Sequence, residues 1–539
     1  MRIKIRQLLL PLDYKGNDIK IVVAAKLRCS EDNISYVKIV RRSIDARKHR
    51  EAPVFSLTAE IEIKSLSGFV LPVDVDIEQI KEAAASSESD IRKISRKPKT
   101  PVVVVGAGPS GLMAALLLAE AGLSPLLIEQ GVPVQERTLQ VSQFWKKGTL
   151  NTESNVLFGE GGAGLFSDGK LTSRSKNRAA TQKFLQTLVK CGAEEDILID
   201  AEPHLGSDIL RKIVQSFRRL IEVNGGEVRF NSRLESLHIE KDKLAGIVVN
   251  GKEIETSHCI LASGHSARDI YAMLAQSSVI LEPKPFAAGV RLELSQQSIN
   301  RAQWGRFAGH PRLGAASFRL TSKKDNLHRA CYTFCMCPGG TVIPCASSHG
   351  ALTTNGMSLS KRSGKFGNAA FLVPVDPTDF PVYVDKTNTF LSGIEFQEKI
   401  ERFAYAEGGS DYSLPVATLS GFLSKKYPYA IPNNRSWEKS RPADLHNILP
   451  DFICETLTAA IPKMLSFMNG IVPEEVLLYA AETRSSSPCR ILRNESGESV
   501  SVAGLFPSGE GAGYAGGIVS SAVDGIMAAE AVIRSLSGY

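Results

Sequence analysis

The chain has 539 residues, 43% hydrophobic and 22% charged, which is ordinary globular composition with length for several domains. No apolar run reaches the roughly 20 residues that span a bilayer, and the N-terminal MRIKIRQLLLPLDYK lacks a cleavable-signal pattern. The net charge is +7, and residues 1–100 carry 20 Lys+Arg against 14 Asp+Glu. No stacked-aromatic RNA motif accompanies that charge, so it reads as a solvated basic unit rather than a nucleic-acid surface.

In chain order, residues 3–10 alternate like a strand and residues 19–27 follow as a helix with Asp18 as its N-cap. Residues 34–44 and 54–63 have the β-branched content of strands, and residues 77–85 read as a second helix. The order β-α-β-β-α predicts a small ferredoxin-like α/β unit over residues 1–95. Residues 86–100 have linker composition.

Residues 102–129, VVVVGAGPSGLMAALLLAEAGLSPLLIE, read as strand, tight turn, helix, strand and acid. This is the start of a dinucleotide-binding fold. Gly106 permits the turn, Gly108 lets the backbone approach a pyrophosphate, and Gly111 lets helix and strand pack. The helix N-terminus offers unpaired N–H groups to phosphate. Glu129 stands where an acid hydrogen-bonds ribose hydroxyls, which disfavours NADP and leaves FAD or NAD.

Residues 159–164 and 511–516 match the same glycine pattern by letters. The first lacks a flanking strand and helix, so it is a glycine-rich loop. The second is expected to follow a strand over 500–506 and to open a helix over 518–536. No second strand can follow it before Tyr539, so no dedicated nicotinamide domain is expected; transient donation by a nicotinamide cofactor stays open.

Helices are expected at 179–190 and 208–224, and strands at 227–229, 234–240, 244–249 and 253–256, with Asn250-Gly251 as a hairpin turn. A buried strand follows at 258–265. From about 283 to 480 the texture changes to strand-like pieces (286–294, 330–334) between Gly, Ser and Asn-rich loops, with a long helix at 448–468. This predicts a domain over 286–480 inserted into a dinucleotide fold formed by 96–285 and 481–539.

These residues resemble the glutathione-reductase-like FAD proteins. The resemblance rests on GAGPSG with Glu129 and Arg137, on CILASG (259–264), and on GLFPSGEGAGYAGGI (504–518). Ser263 stands where that superfamily has threonine, and Glu510 where it has the aspartate that holds the flavin ribityl chain. The chain is similar over nearly its whole length to a bacterial and plant family of uncharacterised FAD-dependent dehydrogenases. The strings that carry this are SIDARK (43–48), FGEGGAGLFSDGKL (158–171), GHSARD (264–269), FCMCPGG (334–340), TTNGMS (353–358) and ETRSSSP (482–488). The resemblance implies a doubly wound parallel sheet with a β-meander, an inserted α+β substrate domain, and FAD as cofactor.

It also implies the cofactor residues. These are Gly106, Gly108, Pro109, Ser110, Gly111, Glu129, Gln130 and Arg137 at the nucleotide end. Gly161, Gly162, Ala163, Gly164, Ala262 and Gly264 follow, with Gly509, Glu510, Gly516, Gly517 and Ile518 toward the flavin. The helix after Gly517 would direct its N-terminus at the flavin ring, with Lys170 as a second positive group.

Cys335 and Cys337 are the sharpest catalytic candidates, with Lys170. The C-x-C spacing matches neither a flavin-linked redox pair nor a zinc site, so no metal is expected and two inert thiols are the alternative. His265 and His349 read as structural, and Arg484 as an anion ligand or an ordinary loop arginine. Three functions fit: an FAD-dependent oxidoreductase acting on an unidentified small molecule, a flavin-dependent RNA-modifying enzyme, and a non-enzymatic flavin-binding redox sensor.

Overall fold

The computed structural model describes residues 1–47, 50–64, 70–80, 98–173, 175–382, 390–427 and 430–537. In the N-terminal unit, β1 (Arg2–Pro11), α1 (Gly16–Leu27), β2 (Ile34–Asp45) and β3 (Val54–Ile63) form as the alternation dictates. One face of β3 is buried at every second residue, Phe55 through Ile63, and packs with Ile3 and Ile5 of β1 against Val23 and Leu27 of α1. The expected helix over 77–85 is corrected in its first turn. Ile77–Gln79 is a short strand, β4, on the edge of β1, with Ile77 opposite Ile5 and Gln79 opposite Ile3. Residues 81–85, and 86–97 of the linker, lie outside the described residues. The antiparallel sheet order is β2-β3-β1-β4.

The basic end of β2 is used internally. Arg42 donates Nε to Asp200 at 2.7 Å and Nη2 to Asp196 at 2.7 Å, and its backbone bridges to Asp200. Arg312 docks the other flank: it stacks on Tyr14 and Phe55 and donates to the carbonyls of Leu12 and Tyr14. The N-terminal unit is thereby held to the chain at Asp196 and Asp200 and again at Arg312. Arg42→Ala is expected to loosen it by about 1–2 kcal/mol, read as an earlier first transition in calorimetry.

The dinucleotide fold is built from β5 (Val103–Val105), α2 (Pro109–Glu120), β6 (Leu126–Ile128), α3 (Val134–Lys147), α4 (Arg178–Lys190), α5 (Ser207–Val223) and β7 (Glu227–Arg229). An antiparallel meander of β8 (Leu234–Glu240), β9 (Lys243–Val249) and β10 (Lys252–Glu255) follows, then β11 (Cys259–Leu261) and α6 (Arg268–Ala275). The main sheet is parallel, in the order 505–507, β11, β5, β6, β7. Val103–Val105 is buried on both faces, as a central parallel strand must be. The strand expected over 500–506 shortens to Leu505–Pro507, because Ser499 turns the preceding chain by accepting the N–H groups of Ser501 and Val502. The last helix, Ile518–Ser537, packs on α2.

Between these halves lies a seven-stranded mixed sheet. Its centre is Phe286–Ser295, flanked by Phe366–Val375 and Leu477–Glu482. Phe286, Ala288, Val290, Leu292 and Leu294 share one apolar cluster with the helix Asp451–Leu465. By strand alternation Ala287, Arg291 and Glu293 point the other way. That face looks back toward the dinucleotide fold.

Candidate functional site

At the end of β5 the chain turns at Gly106, whose φ is 100°. A Cβ there would lie 2.5 Å from the Ala262 carbonyl oxygen. Helix α2 then starts at Pro109, with Gly108 as N-cap. Proline at this position loses only an N–H that has no partner within the helix anyway. The glycine loop 159–164 closes over this turn: Gly161 N–H donates to the Ala107 carbonyl at 2.8 Å. A Cβ on Gly162 would lie 3.1 Å from Gly108 Cα. Glu129 ends β6 in a buried position, its oxygens accepting the N–H groups of Ala107 at 2.8 Å and Gly131 at 2.9 Å.

One continuous cavity of about 1930 Å³ runs from this turn to the seven-stranded sheet. Small-ligand sites typically hold roughly 300–1,000 Å³, so there is room for a dinucleotide and a substrate. The expected residues Gly106, Gly108, Pro109, Ser110, Glu129 and Gln130 line its near end. Gly162, Ala163, Gly164, Ala262 and Gly264 line the middle, and Gly509, Glu510, Gly516, Gly517 and Ile518 flank the mouth of the last helix. Lys170 and Cys335 also reach the wall.

Four expected residues do not line it. Gly111 sits beneath the turn, where a Cβ would be 1.8 Å from the Gly106 carbonyl oxygen. Gly161 faces Val214 and Leu165. Cys337 is buried behind Cys335. Arg137 is corrected in role. It is fully buried and its guanidinium is consumed by five carbonyls, those of Asn155, Val156, Gly159, Glu160 and Gly162. Burial works against its charge, and the nearby carboxylates of Glu129 and Glu160 support it. Arg137 shapes the glycine loop.

The far wall carries charges that no local sequence pattern pairs. Arg291, fully buried, meets Glu482 through two hydrogen bonds, Nε at 2.8 Å and Nη2 at 2.6 Å. Its Nη1 also reaches Asn368 at 2.9 Å and the Cys335 carbonyl at 3.2 Å. Arg484 lines the cavity, yet its guanidinium is held by Glu401 (3.0 and 2.8 Å) and Ser347 (2.7 Å). It is therefore not a free anion ligand. Burial pushes the Glu510 carboxyl up to about 7, partly offset by the Gly517 N–H and by Lys284. His265 faces it, Nδ1 to Oε1 at 3.6 Å. Burial, then the charges of Arg484 and Arg268, pull the His265 imidazole down to about 3, so it is neutral at physiological pH. Among the described residues no three His, Cys, Asp or Glu side chains are grouped to hold a metal. No helix among them is long and apolar enough to cross a membrane.

These residues suit a dinucleotide. The floor is glycine, the α2 N-terminus opens onto it, and a buried carboxylate closes the strand end. Family models agree: one described as "FAD binding domain" matches residues 99–260, and one described as "FAD-dependent protein, C-terminal domain-like" matches 285–485. A domain of unknown function matches residues 2–62. An uncharacterised protein of Clostridium beijerinckii is 43% identical over 540 residues, covering 99% of each chain. The chain belongs to the family of that protein. FAD is its cofactor. Protein FixC of Escherichia coli is 25% identical over 232 residues, 42% of this chain and 50% of that one. Among solved structures, the glycine oxidase of Bacillus cereus aligns over 81% of this chain and 98% of its own at 11% identity, with a TM-score of 0.30.

Sequence patterns singled out ETRSSSP but not the partners of its charges. Arg291 and Glu482 are 191 positions apart, and Glu401 and Arg484 are 83 apart. A lone arginine within an apolar strand is the signal that points to such a pair, because an unpaired buried charge is too costly to keep.

Proposed function

We propose that the protein is an FAD-dependent oxidoreductase that transfers hydride between a small-molecule substrate and flavin N5. The single cavity joining the glycine turn to the charged face of the inserted sheet carries this reading. Bound FAD supplies a two-electron centre. Gly108 and the first amides of α2 take the pyrophosphate, and Glu129 takes the ribose. Gly509, Glu510 and the 516–518 turn hold the flavin end, where the helix N-terminus favours negative charge on the ring. Residues 286–480 form the substrate domain, and their sheet walls off water. Lys170 and Cys335, both on the wall, are the groups placed to act on a substrate.

The strand order of the N-terminal unit supports a ferredoxin-like plait. Its paired Arg42, Arg47 and Arg50 favour a docking role over RNA binding. Nine free thiols support a reducing, cytoplasmic setting.

Purified protein is expected to be yellow with one FAD per chain. Anaerobic mixing with panels of small metabolites, and of reduced nicotinamides, should bleach the flavin absorbance with the right partner. Protein that is colourless and cannot be reconstituted with FAD would overturn the reading.

A further inference from the structure

The strand Cys331–Cys337 carries a dithiol whose geometry departs from a regular strand. Its ladder with Phe366–Val375 runs regularly from Tyr332 to Phe334, then slips before Cys337. At the slip Cys335 has a φ of 44°. A residue with a Cβ stays in that left-handed region only when its surroundings impose it. Here they do: the Cys335 carbonyl accepts Arg291 Nη1 at 3.2 Å and the Cys337 thiol at 3.4 Å.

In a regular strand two thiols at i and i+2 stand about 6.6 Å apart along the chain. The bulge instead folds the Cys337 side chain back toward its neighbour, with its sulfur 3.4 Å from the Cys335 carbonyl oxygen. Cys335 lines the cavity, while Cys337 is buried behind it, where a Cβ on Gly356 would come within 2.9 Å of its sulfur. The Cys337 thiol holds Cys335 below the ordinary thiol range; burial opposes this, and Arg291 and Lys170 reinforce it. Cys337 shares that proton and is pushed up, burial adding to the shift. One thiol thus lines the cavity, and the other is buried directly behind it, against the carbonyl of the first.

We propose that Cys335 and Cys337 are an exchange pair for small-molecule disulfides that enter the cavity, with Cys335 attacking and Cys337 resolving. The Cys335 thiolate bonds to one sulfur of R–S–S–R and the first R–S⁻ leaves, taking a proton. Cys337 then loses its proton, its sulfur bonds to that of Cys335, and the second R–S⁻ leaves. The pair is oxidised by two electrons, and the disulfide is reduced to two thiols. This goes beyond the flavin reading, because the exchange balances without FAD.

The test uses the purified flavoprotein, reduced, desalted and exposed to oxidised glutathione, read by intact mass and peptide mapping. Wild type should lose two thiols, retain no glutathione, and yield a peptide with a Cys335–Cys337 bond. Cys337→Ser should keep one glutathione on Cys335. In Cys335→Ser, Cys337 should react at least about tenfold more slowly than Cys335 does in wild type, since it is buried. Glutathione retained on wild-type Cys335, unreacted thiols, or equal rates in Cys335→Ser would overturn the proposal. The wild-type map decides the matter even if a variant misfolds. A colourless protein that still forms the Cys335–Cys337 bond would sink the flavin reading alone.

Discussion

Gly108→Ala is expected to give a folded protein that does not retain FAD, whereas Gly111→Ala should fail to keep the nucleotide-binding half intact. The two glycines are three residues apart and differ only in what a methyl group would meet. At Gly108 the nearest heavy atom is Gly162 Cα at 3.9 Å, an ordinary contact, and φ is −79°. Alanine is a poorer N-cap than glycine, but it stiffens the unfolded chain, so stability should change by less than about 1 kcal/mol. In the proposed site the methyl would instead fill the space through which a pyrophosphate would approach the α2 amides. At Gly111 the methyl would sit 1.8 Å from the Gly106 carbonyl oxygen and 3.4 Å from Val104 Cγ1. Backbone must move, and overpacking of this kind costs roughly 1–3 kcal/mol, at the upper end for so close an approach. Absorbance after gel filtration reads cofactor, and urea titration reads stability. Yellow Gly108→Ala protein would move the pyrophosphate away from this turn.

What local pattern specifies was legible, and what distant pairing specifies was not. Strands 227–229 and 234–240 and the hairpin at Asn250-Gly251 follow from alternation and turn chemistry, and they form where expected. Residues 77–79 have no such signature. Their apolar spacing suits a helix, and only the edge of β1 makes them a strand. The family resemblance implies Arg137 as a cofactor residue. Yet its guanidinium is saturated by a loop some 18 to 25 residues later, which no local rule reveals. The bulge at Cys335 is set by Arg291, 44 residues earlier, and by the register of a third strand. The cofactor end of the site is local because a strand, turn and helix build it. The opposite wall is non-local because buried charges from four segments build it.

Those charges predict the largest stability effect in the molecule. Glu401, fully buried, accepts two hydrogen bonds from Arg484, one from Arg268 at 3.2 Å and one from Thr483 Oγ1 at 2.7 Å. Burial alone would raise its carboxyl; the Arg484 and Arg268 guanidiniums and the hydroxyl outweigh it and hold the group at about 2. A carboxylate held below its ordinary value stabilises the fold above that ordinary value, near 4.5. The contribution is lost as pH falls from there toward about 2. The difference corresponds to about 3 kcal/mol. Glu401→Gln keeps the shape and removes the charge. It leaves Arg484 buried with Ser347, and Arg268 with Glu398 at 3.3 Å. Breaking a buried pair from one side costs about 3–5 kcal/mol. Since Arg268 opens the helix Arg268–Ala275 and Glu401 lies on the helix Ser392–Glu407, the loss should appear as earlier separation of these two elements in urea. The gap between wild type and Glu401→Gln should be full at pH 7 and shrink below about 4.5. A gap that is independent of pH across that window would mean that packing, not charge, is what Glu401 contributes.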